Sequence, residues 1–181
     1  MTGYAVGPST PWANPYAPNA TYAPMTQRQV NGERALQAWG DLASGKQGGK
    51  DLATNEFGLF QTEVNNGDPA HVWPMSQAHA AALNLGGITG NFGVAQAIEG
   101  HIQRYEANGA FQPSIDNGPG KDRYTDDNMA IGFNYIQSYI STGNPDDLKK
   151  AKDLFPFFEK MLDPNGGLNW REGSKAYVAD S

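Results

Sequence analysis

The run YTDDNMAIGFNYIQSYISTGNP at residues 124–145 is the part of this chain most diagnostic of its fold. Two adjacent carboxylates, Asp126 and Asp127, stand where a loop rich in Gly and Pro gives way to apolar residues. Apolar side chains then recur on most sides of a predicted helix over residues 126–142, so we expect this helix to be largely buried. Gly143 and Pro145 form the turn that ends it.

Further helices are predicted on both sides of this run. The i, i+3, i+4 spacing of apolar residues predicts helices over residues 26–44, 73–87, 91–108 and 146–162. Pro156 lies inside the last of these, so we expect a kink or a break near Phe155. No segment shows a convincing strand pattern, and long connections at residues 46–72 and 109–125 should lie at one end of the helices. The sequence therefore predicts an all-α fold of antiparallel helical hairpins.

Composition narrows the class of protein. With 181 residues the chain can form one domain with a real core. The formal net charge of -6 argues against nucleic acid or an anionic membrane as the main partner. Cysteine is absent, which excludes disulfides and thiolate chemistry. No apolar run reaches the roughly 18–20 residues that span a bilayer, and no signal-peptide pattern is visible, which leaves a cytoplasmic or an already processed protein as alternatives.

Three segments are predicted along the chain. Residues 1–24 contain five prolines with aromatic residues between them, so they should form an extended arm. The alternatives for this arm are a disordered tail and a segment that lies against a surface. Residues 25–170 form the helical-hairpin domain, and residues 171–181 form a polar C-terminal tail.

Asp126 and Asp127 are the candidate catalytic residues. Two carboxylates held close together can cleave a glycosidic bond, one as the nucleophile and the other as the proton donor. At a helix N-terminus the dipole favours one ionised carboxylate, and that negative charge raises the pKa of its neighbour. The alternative is that Asp126 caps the helix and Asp127 complements the helix dipole. The spacing alone leaves both alternatives open.

Three aromatic residues fall at helix or loop ends, namely Trp73, Tyr124 and Trp170. Their faces could stack on sugar rings, and the alternative is packing at the ends of helices.

The three histidines are scattered through the sequence and form no His-x-x-x-His pair, so a zinc site is not expected. His79 stands on an alanine-rich helix, where we expect a packed, hydrogen-bonded residue. No metal site is predicted.

Ordered motifs on both sides of the Asp pair resemble glycoside hydrolase family 76, whose members are endo-acting α-1,6-mannanases. The resemblance spans residues 34–170. It is carried by Trp73-Pro74-Met75-Ser76-Gln77-Ala78, Tyr124-Thr125-Asp126-Asp127-Asn128, Ser141-Thr142-Gly143-Asn144-Pro145 and Gly166-Gly167-Leu168-Asn169-Trp170.

The resemblance implies a partial (α/α)6 toroid and a retaining mechanism that needs no metal or organic cofactor. Carried over by motif, Asp126 would be the nucleophile and Asp127 the general acid/base. The substrate would be an α-mannan-like polysaccharide, and the protein would act outside the cell or at its surface. Substrate contacts are expected from Tyr124, Asn128, Trp73 and Trp170.

The five predicted helices fall short of a complete (α/α)6 ring, so the resemblance covers the N-terminal half of the toroid. Half a ring would expose the apolar faces of its helices. Three alternatives follow: a piece of a longer enzyme, two copies that each supply half a ring, or a repurposed module. In the last case the chain would be a non-catalytic carbohydrate-binding or self-assembling protein.

Overall fold

A computed structural model describes residues 26–43, 46–47, 50–51, 69–115 and 122–174, so the predicted N-terminal arm and most of the predicted tail lie outside the described residues. The described helices are α1 (Gln27–Ala43), α2 (Val72–Thr89), α3 (Gly93–Ile102), α4 (Thr125–Thr142), α5 (Pro145–Asp153) and α6 (Phe155–Met161). Two short antiparallel hairpins accompany them, β1 (Lys46–Gln47) with β2 (Lys50–Asp51) and β3 (Glu106–Ala107) with β4 (Ala110–Phe111). The predicted all-α class is confirmed.

Helices α2 and α4 pack side by side and run in the same direction. The Asn134 side chain of α4 donates to the Ser76 carbonyl of α2 at 2.7 Å. Further along both helices, Gln137 donates to Asn84 at 2.9 Å. The short turn after α2 returns the chain through α3, so α3 is antiparallel to both. The N-termini of α2 and α4 therefore lie at the same end of the molecule.

The core lies where α2, α3, α4 and α5 meet. The six largest of its fully buried side chains are apolar or aromatic, and they come from each of the first three of these helices and from the turn after α3. They are Leu83, Ile98, Ile102, Tyr105, Ile131 and Tyr135. The apolar faces of these helices meet here, as the apolar spacing in the sequence predicts.

The prediction that the third helix continues to residue 108 is wrong. Helix α3 ends at Ile102, a single 3-10 turn follows over Gln103–Tyr105, and the β3–β4 hairpin comes next. Asn108 and Gly109 have φ values of 55° and 80° at the tip of the hairpin. Asn-Gly is a favoured pair in tight hairpin turns, because both residues tolerate positive φ. The hairpin was therefore detectable in the sequence.

The predicted break in the last helix is confirmed. Helix α5 ends at Asp153, and α6 begins with Pro156 in its first turn.

The predicted burial of α4 is only partly correct. On this helix, Phe133 is 63% exposed and Ile140 is 76% exposed. Nothing in the described ranges covers this side of the helix, which matches the exposed apolar face expected of a partial ring.

Candidate active site

Asp126 and Asp127 both lie in the first turn of α4. Asp126 is partly exposed, whereas Asp127 is buried with 8% of its surface exposed. The backbone N–H of Asp127 donates to Oδ1 of Asp126 at 3.1 Å. Tyr124 occupies the N-cap position and its side chain forms no capping hydrogen bond. The alternative in which Asp126 is the N-cap therefore does not describe this helix start.

The two carboxyl groups lie in different electrostatic surroundings. Burial raises the pKa of Asp127 above its ordinary value of 3.8, the negative charge of Asp126 acts in the same direction, and together they bring it to about 6. Desolvation favours the neutral form of a carboxyl group, and a like charge nearby has the same effect. Asp127 can therefore hold a proton in weakly acidic solution and release it near neutrality.

Trp170 provides the second hydrogen bond to Asp126. Its indole Nε1–H donates to Oδ2 of Asp126 at 3.2 Å. The indole ring also contacts the ring of Tyr124, with centroids 5.0 Å apart and an interplanar angle of 57°. Trp170 remains 42% exposed, so one part of the ring faces solvent. The structure thus brings together three predicted site residues, Tyr124, Asp126 and Trp170.

The segment that carries Trp170 is held against the start of α4. The backbone N–H of Thr125 donates to the Trp170 carbonyl at 2.9 Å, and Thr125 Oγ1 donates to the Asn169 carbonyl at 2.6 Å. Tyr124 forms an antiparallel bridge with Arg171. The bond to the Trp170 carbonyl gives a partner to the Thr125 backbone N–H, which the first turn of a helix leaves unpaired. They also fix the distance between the indole and Asp126.

Arg123, the residue before Tyr124, anchors the chain at the start of α4, and no local sequence pattern indicated this role. Its guanidinium forms two hydrogen bonds with Glu172, each at 2.8 Å. It also donates to the carbonyls of Ala107 and Asn108 at 3.0 Å each. Bidentate pairing of this kind is geometrically specific. Arg123 therefore ties the β3–β4 turn and the predicted C-terminal tail to the start of α4.

Asn128 does not face the site, in contrast to its predicted role in substrate binding. The residue is fully buried. Its side-chain oxygen accepts from the Phe111 backbone N–H at 2.7 Å. Its amide nitrogen donates to the carbonyls of Phe111 and Tyr124 at 3.0 and 2.8 Å. With these groups engaged, the Asn128 side chain holds β4 against α4.

Trp73 lies in the first turn of α2, at the same end of the molecule as the Asp pair. It is 46% exposed. The Val72 backbone N–H donates to the Pro113 carbonyl at 2.9 Å, so the connection before α4 passes the start of α2.

Within the described ranges, no three His, Asp or Glu side chains are grouped so that they could hold a metal ion. None of the helices in the described part of the chain has the length and apolar character needed to cross a membrane.

Two solved structures share the fold of this chain. A glycoside hydrolase family 76 mannosidase from Bacteroides thetaiotaomicron aligns with 83% of the chain at a TM-score of 0.58 and 17% identity. A family 76 glycoside hydrolase from a bovine Bacteroides thetaiotaomicron strain aligns with 83% of the chain at a TM-score of 0.54 and 18% identity. No protein-family model and no curated protein matches the sequence.

The aligned region spans 43% and 34% of the two solved chains, which is less than half of either. At this level of identity the similarity concerns the fold. The predicted partial family 76-like fold is thereby confirmed, and the arrangement of helices is that of part of an (α/α)6 toroid.

Proposed function

We propose that this chain contributes the catalytic residues of a retaining glycoside hydrolase that acts on an α-1,6-linked mannose polymer. The observation that carries the proposal is the contrast between two adjacent carboxyl groups. Asp126 is partly exposed and accepts two N–H hydrogen bonds. Asp127 is buried, and burial together with the charge of Asp126 raises its pKa to about 6. A retaining enzyme requires one ionised nucleophile and one proton donor.

In the proposed reaction, the Asp126 carboxylate attacks the anomeric carbon while protonated Asp127 gives its proton to the leaving glycosidic oxygen. This step forms a glycosyl ester on Asp126 and leaves Asp127 ionised. Asp127 then removes a proton from a water molecule, whose oxygen attacks the same anomeric carbon. The ester bond breaks, and both aspartates return to their starting states. The Trp170 N–H stabilises the negative charge that returns to Asp126.

We also propose which side chains contact the sugar. The exposed parts of Tyr124 and Trp170 lie beside Asp126 and offer apolar surface to a sugar ring. Trp73 offers a third aromatic surface at the same end of the molecule. Asn128 is left out of this set because its amide is engaged inside the fold. A polymeric substrate of this kind suits a protein that acts outside the cell or at its surface.

Two substitutions test the proposal, Asp126→Asn and Asp127→Asn, with release of reducing ends from α-1,6-mannan as the measurement. Asp127→Asn should lower the rate by on the order of 10³-fold through the loss of acid–base catalysis. Asp126→Asn should lower it at least as much, because it removes the nucleophile. Asp122→Asn is the matched control, since Asp122 is an exposed acid nearby whose contact with Arg171 is 3.5 Å long. Full activity in both variants at the Asp pair would refute the proposal.

A second candidate function is a non-catalytic carbohydrate-binding or self-assembling module. The observation that favours it is an apolar groove of about 450 Å³ between α4, α5 and α6. Phe133 and Phe155 line the groove and are 63% and 60% exposed. Apolar patches of this kind mark interaction surfaces. Large oligomers in light scattering, without release of reducing ends, would favour this second function over hydrolysis.

A further inference from the structure

Residues 168–172 form a short segment, the tryptophan segment, that carries Trp170 to the start of α4. None of its residues is buried, so apolar packing contributes little to its position. Backbone hydrogen bonds join it to the start of α4, from the Thr125 N–H to the Trp170 carbonyl and from the Glu172 N–H to the Arg123 carbonyl. A pairing of two strands this short is marginal by itself. Side-chain contacts are therefore needed to hold the segment in place.

The strongest of these contacts is the ion pair between Arg123 and Glu172, which stands two residues after Trp170. Only 9% of the Arg123 side chain and 18% of the Glu172 side chain are exposed, and the closest N–O distance is 2.7 Å. A partly buried pair is screened much less by salt than an exposed one. Its two-point geometry also fixes the direction from which Glu172 approaches.

The Arg123 guanidinium is itself held on two further sides. It donates to the Ala107 and Asn108 carbonyls of the β3–β4 turn. Its central carbon lies 5.5 Å from the centre of the Phe157 ring of α6, which is buried. The guanidinium is thus fixed by the rest of the fold, and Glu172 joins a group that is already in position.

Glu172 keeps its charge in the pH range of the proposed reaction. Burial raises the pKa of Glu172, but hydrogen bonds from Lys160 and Arg123 outweigh this effect and hold the pKa below its ordinary value of 4.5. Asp127, whose pKa is about 6, is protonated in weakly acidic solution. The ion pair is therefore intact at a pH at which Asp127 holds its proton.

Trp170 lies between two anchors of the tryptophan segment. On one side, the backbone N–H and the side-chain amide of Asn169 donate to the Met161 carbonyl of α6 at 2.9 and 3.1 Å. On the other side, Glu172 is held by the ion pair. The bond from Trp170 Nε1 to Asp126 is 3.2 Å long, at the upper end of the range for N–H···O bonds. A small displacement of the segment is enough to lose it.

We propose that Arg123 and Glu172 form a positioning pair for the candidate nucleophile, because they hold the tryptophan segment where Trp170 donates to Asp126. The inference rests on the proposed function, in which Asp126 attacks the sugar. Neither member of the pair touches the substrate in that reaction, and both act through Trp170. The hydrogen bond can be observed without substrate, so the positioning role and the proposed reaction can fail separately.

The test without substrate follows the indole N–H signals of the ¹⁵N-labelled chain by NMR, with Trp170→Phe to identify the Trp170 signal. Glu172→Gln offers the guanidinium one acceptor oxygen in place of two, so the Trp170 signal should shift and its proton should exchange faster with water. The signal of Trp73, identified in the same way, should not move. An unchanged Trp170 signal in folded Glu172→Gln would overturn the proposal.

Asp153→Asn is the matched control for this experiment. It also replaces a carboxylate by an amide, and it removes an exposed ion pair with Lys149 on α5. The Trp170 signal should stay in place in this variant. A shift as large as that in Glu172→Gln would show that the signal responds to any loss of negative charge, which would overturn the specific role of Glu172.

Kinetics on α-1,6-mannan provide a second measurement. Glu172→Gln should lower kcat by about 10-fold, the size expected when a hydrogen bond to a charged group is lost. In a Trp170→Phe background the same substitution should lower kcat no further, because the bond through which Glu172 acts is already absent. A pair that only stabilises the fold would lower the melting temperature and leave kcat of the folded protein unchanged. That result, or additive losses of kcat, would overturn the proposal.

Arg123→Lys provides a second variant if Glu172→Gln does not fold. Lysine keeps the positive charge but lacks the planar fork, so the Trp170 signal should move in the same direction. An unchanged signal in this variant would count against the positioning pair. A wild-type chain that releases no reducing ends, while the Trp170 signal still responds to Glu172→Gln, would refute the proposed reaction but support the positioning of Trp170.

Discussion

Asp126 and Asp127 are neighbours in the sequence, but their carboxyl groups face different surroundings. Asp127 points into the protein, where loss of water favours its protonated form. Asp126 accepts hydrogen bonds from the Asp127 backbone and the Trp170 indole. Adjacent side chains on a helix point about 100° apart, so one position can be buried while the next is not. This difference allows two identical residues to take separate chemical roles.

The raised pKa of Asp127 predicts a pH-dependent effect of Asp127→Asn on stability. A carboxyl group with a raised folded-state pKa stabilises the fold below the unfolded value of 3.8 and loses that contribution as pH rises through about 6. At pH 8 the buried charge therefore lowers the free energy of unfolding by up to about 3 kcal/mol. Asparagine carries no charge, so the variant should melt at a higher temperature than the wild type at pH 8.

Thermal unfolding at pH 8 and at pH 4 provides the measurement for this prediction. The gain should shrink at pH 4, because nearly all Asp127 carboxyl groups are then protonated in the folded state and the unfavourable buried charge is absent. Asp122→Asn, at an exposed position, should change the melting temperature little at either pH. If Asp127→Asn melts at a lower temperature than the wild type at pH 8, the ionised Asp127 carboxylate does not destabilise the fold and the prediction is wrong.

Trp170→Phe separates the hydrogen-bonding role of the indole from its stacking role. The phenyl ring preserves apolar contact with Tyr124 but cannot donate to Asp126. Hydrogen bonds to charged groups contribute about 1.5–3 kcal/mol, so kcat on mannan should fall by about 10-fold or more with KM little changed. Tyr124→Phe keeps its ring and is the matched control. A raised KM with unchanged kcat would instead identify Trp170 as a sugar platform.

Among the elements, the start of α4 is where two other parts of the chain are attached. The β3–β4 hairpin is tied to it through Asn128, and the segment around Trp170 through Thr125. Arg123 joins both of these parts through the carbonyl of Ala107 and the carboxylate of Glu172. The first turn of α4 is thus held by hydrogen bonds rather than by apolar packing alone. This arrangement gives the two aspartates fixed positions.

Asn128→Ala should release the hairpin from α4. The substitution leaves the Phe111 N–H and carbonyl without their Asn128 partners in a buried region, and an unpaired buried group costs about 1–3 kcal/mol. Urea unfolding should therefore show a loss of about 2 kcal/mol or more. Gln137→Ala removes an exposed hydrogen bond to Asn84 and should have a much smaller effect. Equal losses in the two variants would show that Asn128 does not anchor the hairpin.

On the scale of the whole molecule, the described helices leave one apolar side uncovered. Phe133, Ile140 and Phe155 are each at least 60% exposed, and the groove beside them is almost entirely apolar. The solved family 76 chains extend well beyond the aligned region, since this chain spans 43% and 34% of them.

This face predicts self-association of the chain in solution. Phe133→Ser combined with Phe155→Ser should lower the mass measured by light scattering, because the polar side chains remove the apolar contact between copies. Since both residues are exposed, the fold itself should lose little stability. Trp73→Ser is the matched control at an exposed aromatic outside the groove. A wild-type chain that is already monomeric would contradict the prediction.

The sequence by itself determined the helices, the break at Pro156 and the position of the Asp pair in the first turn of α4. These features depend on periodicity, proline geometry and end signals that lie within a few residues of one another. The signal of the Asn108-Gly109 turn is equally local, although the apolar spacing before it predicts a longer helix than the one observed.

Only the tertiary structure decided which partners these residues have. Trp170 reaches Asp126 across 44 positions, and Arg123 reaches Glu172 across 49. The burial of Asp127, the inward orientation of Asn128 and the unpartnered nitrogens of His79 likewise depend on how the helices pack. Hydrogen bonding and desolvation act between groups that are close in space, and the local sequence pattern does not specify which distant groups will meet.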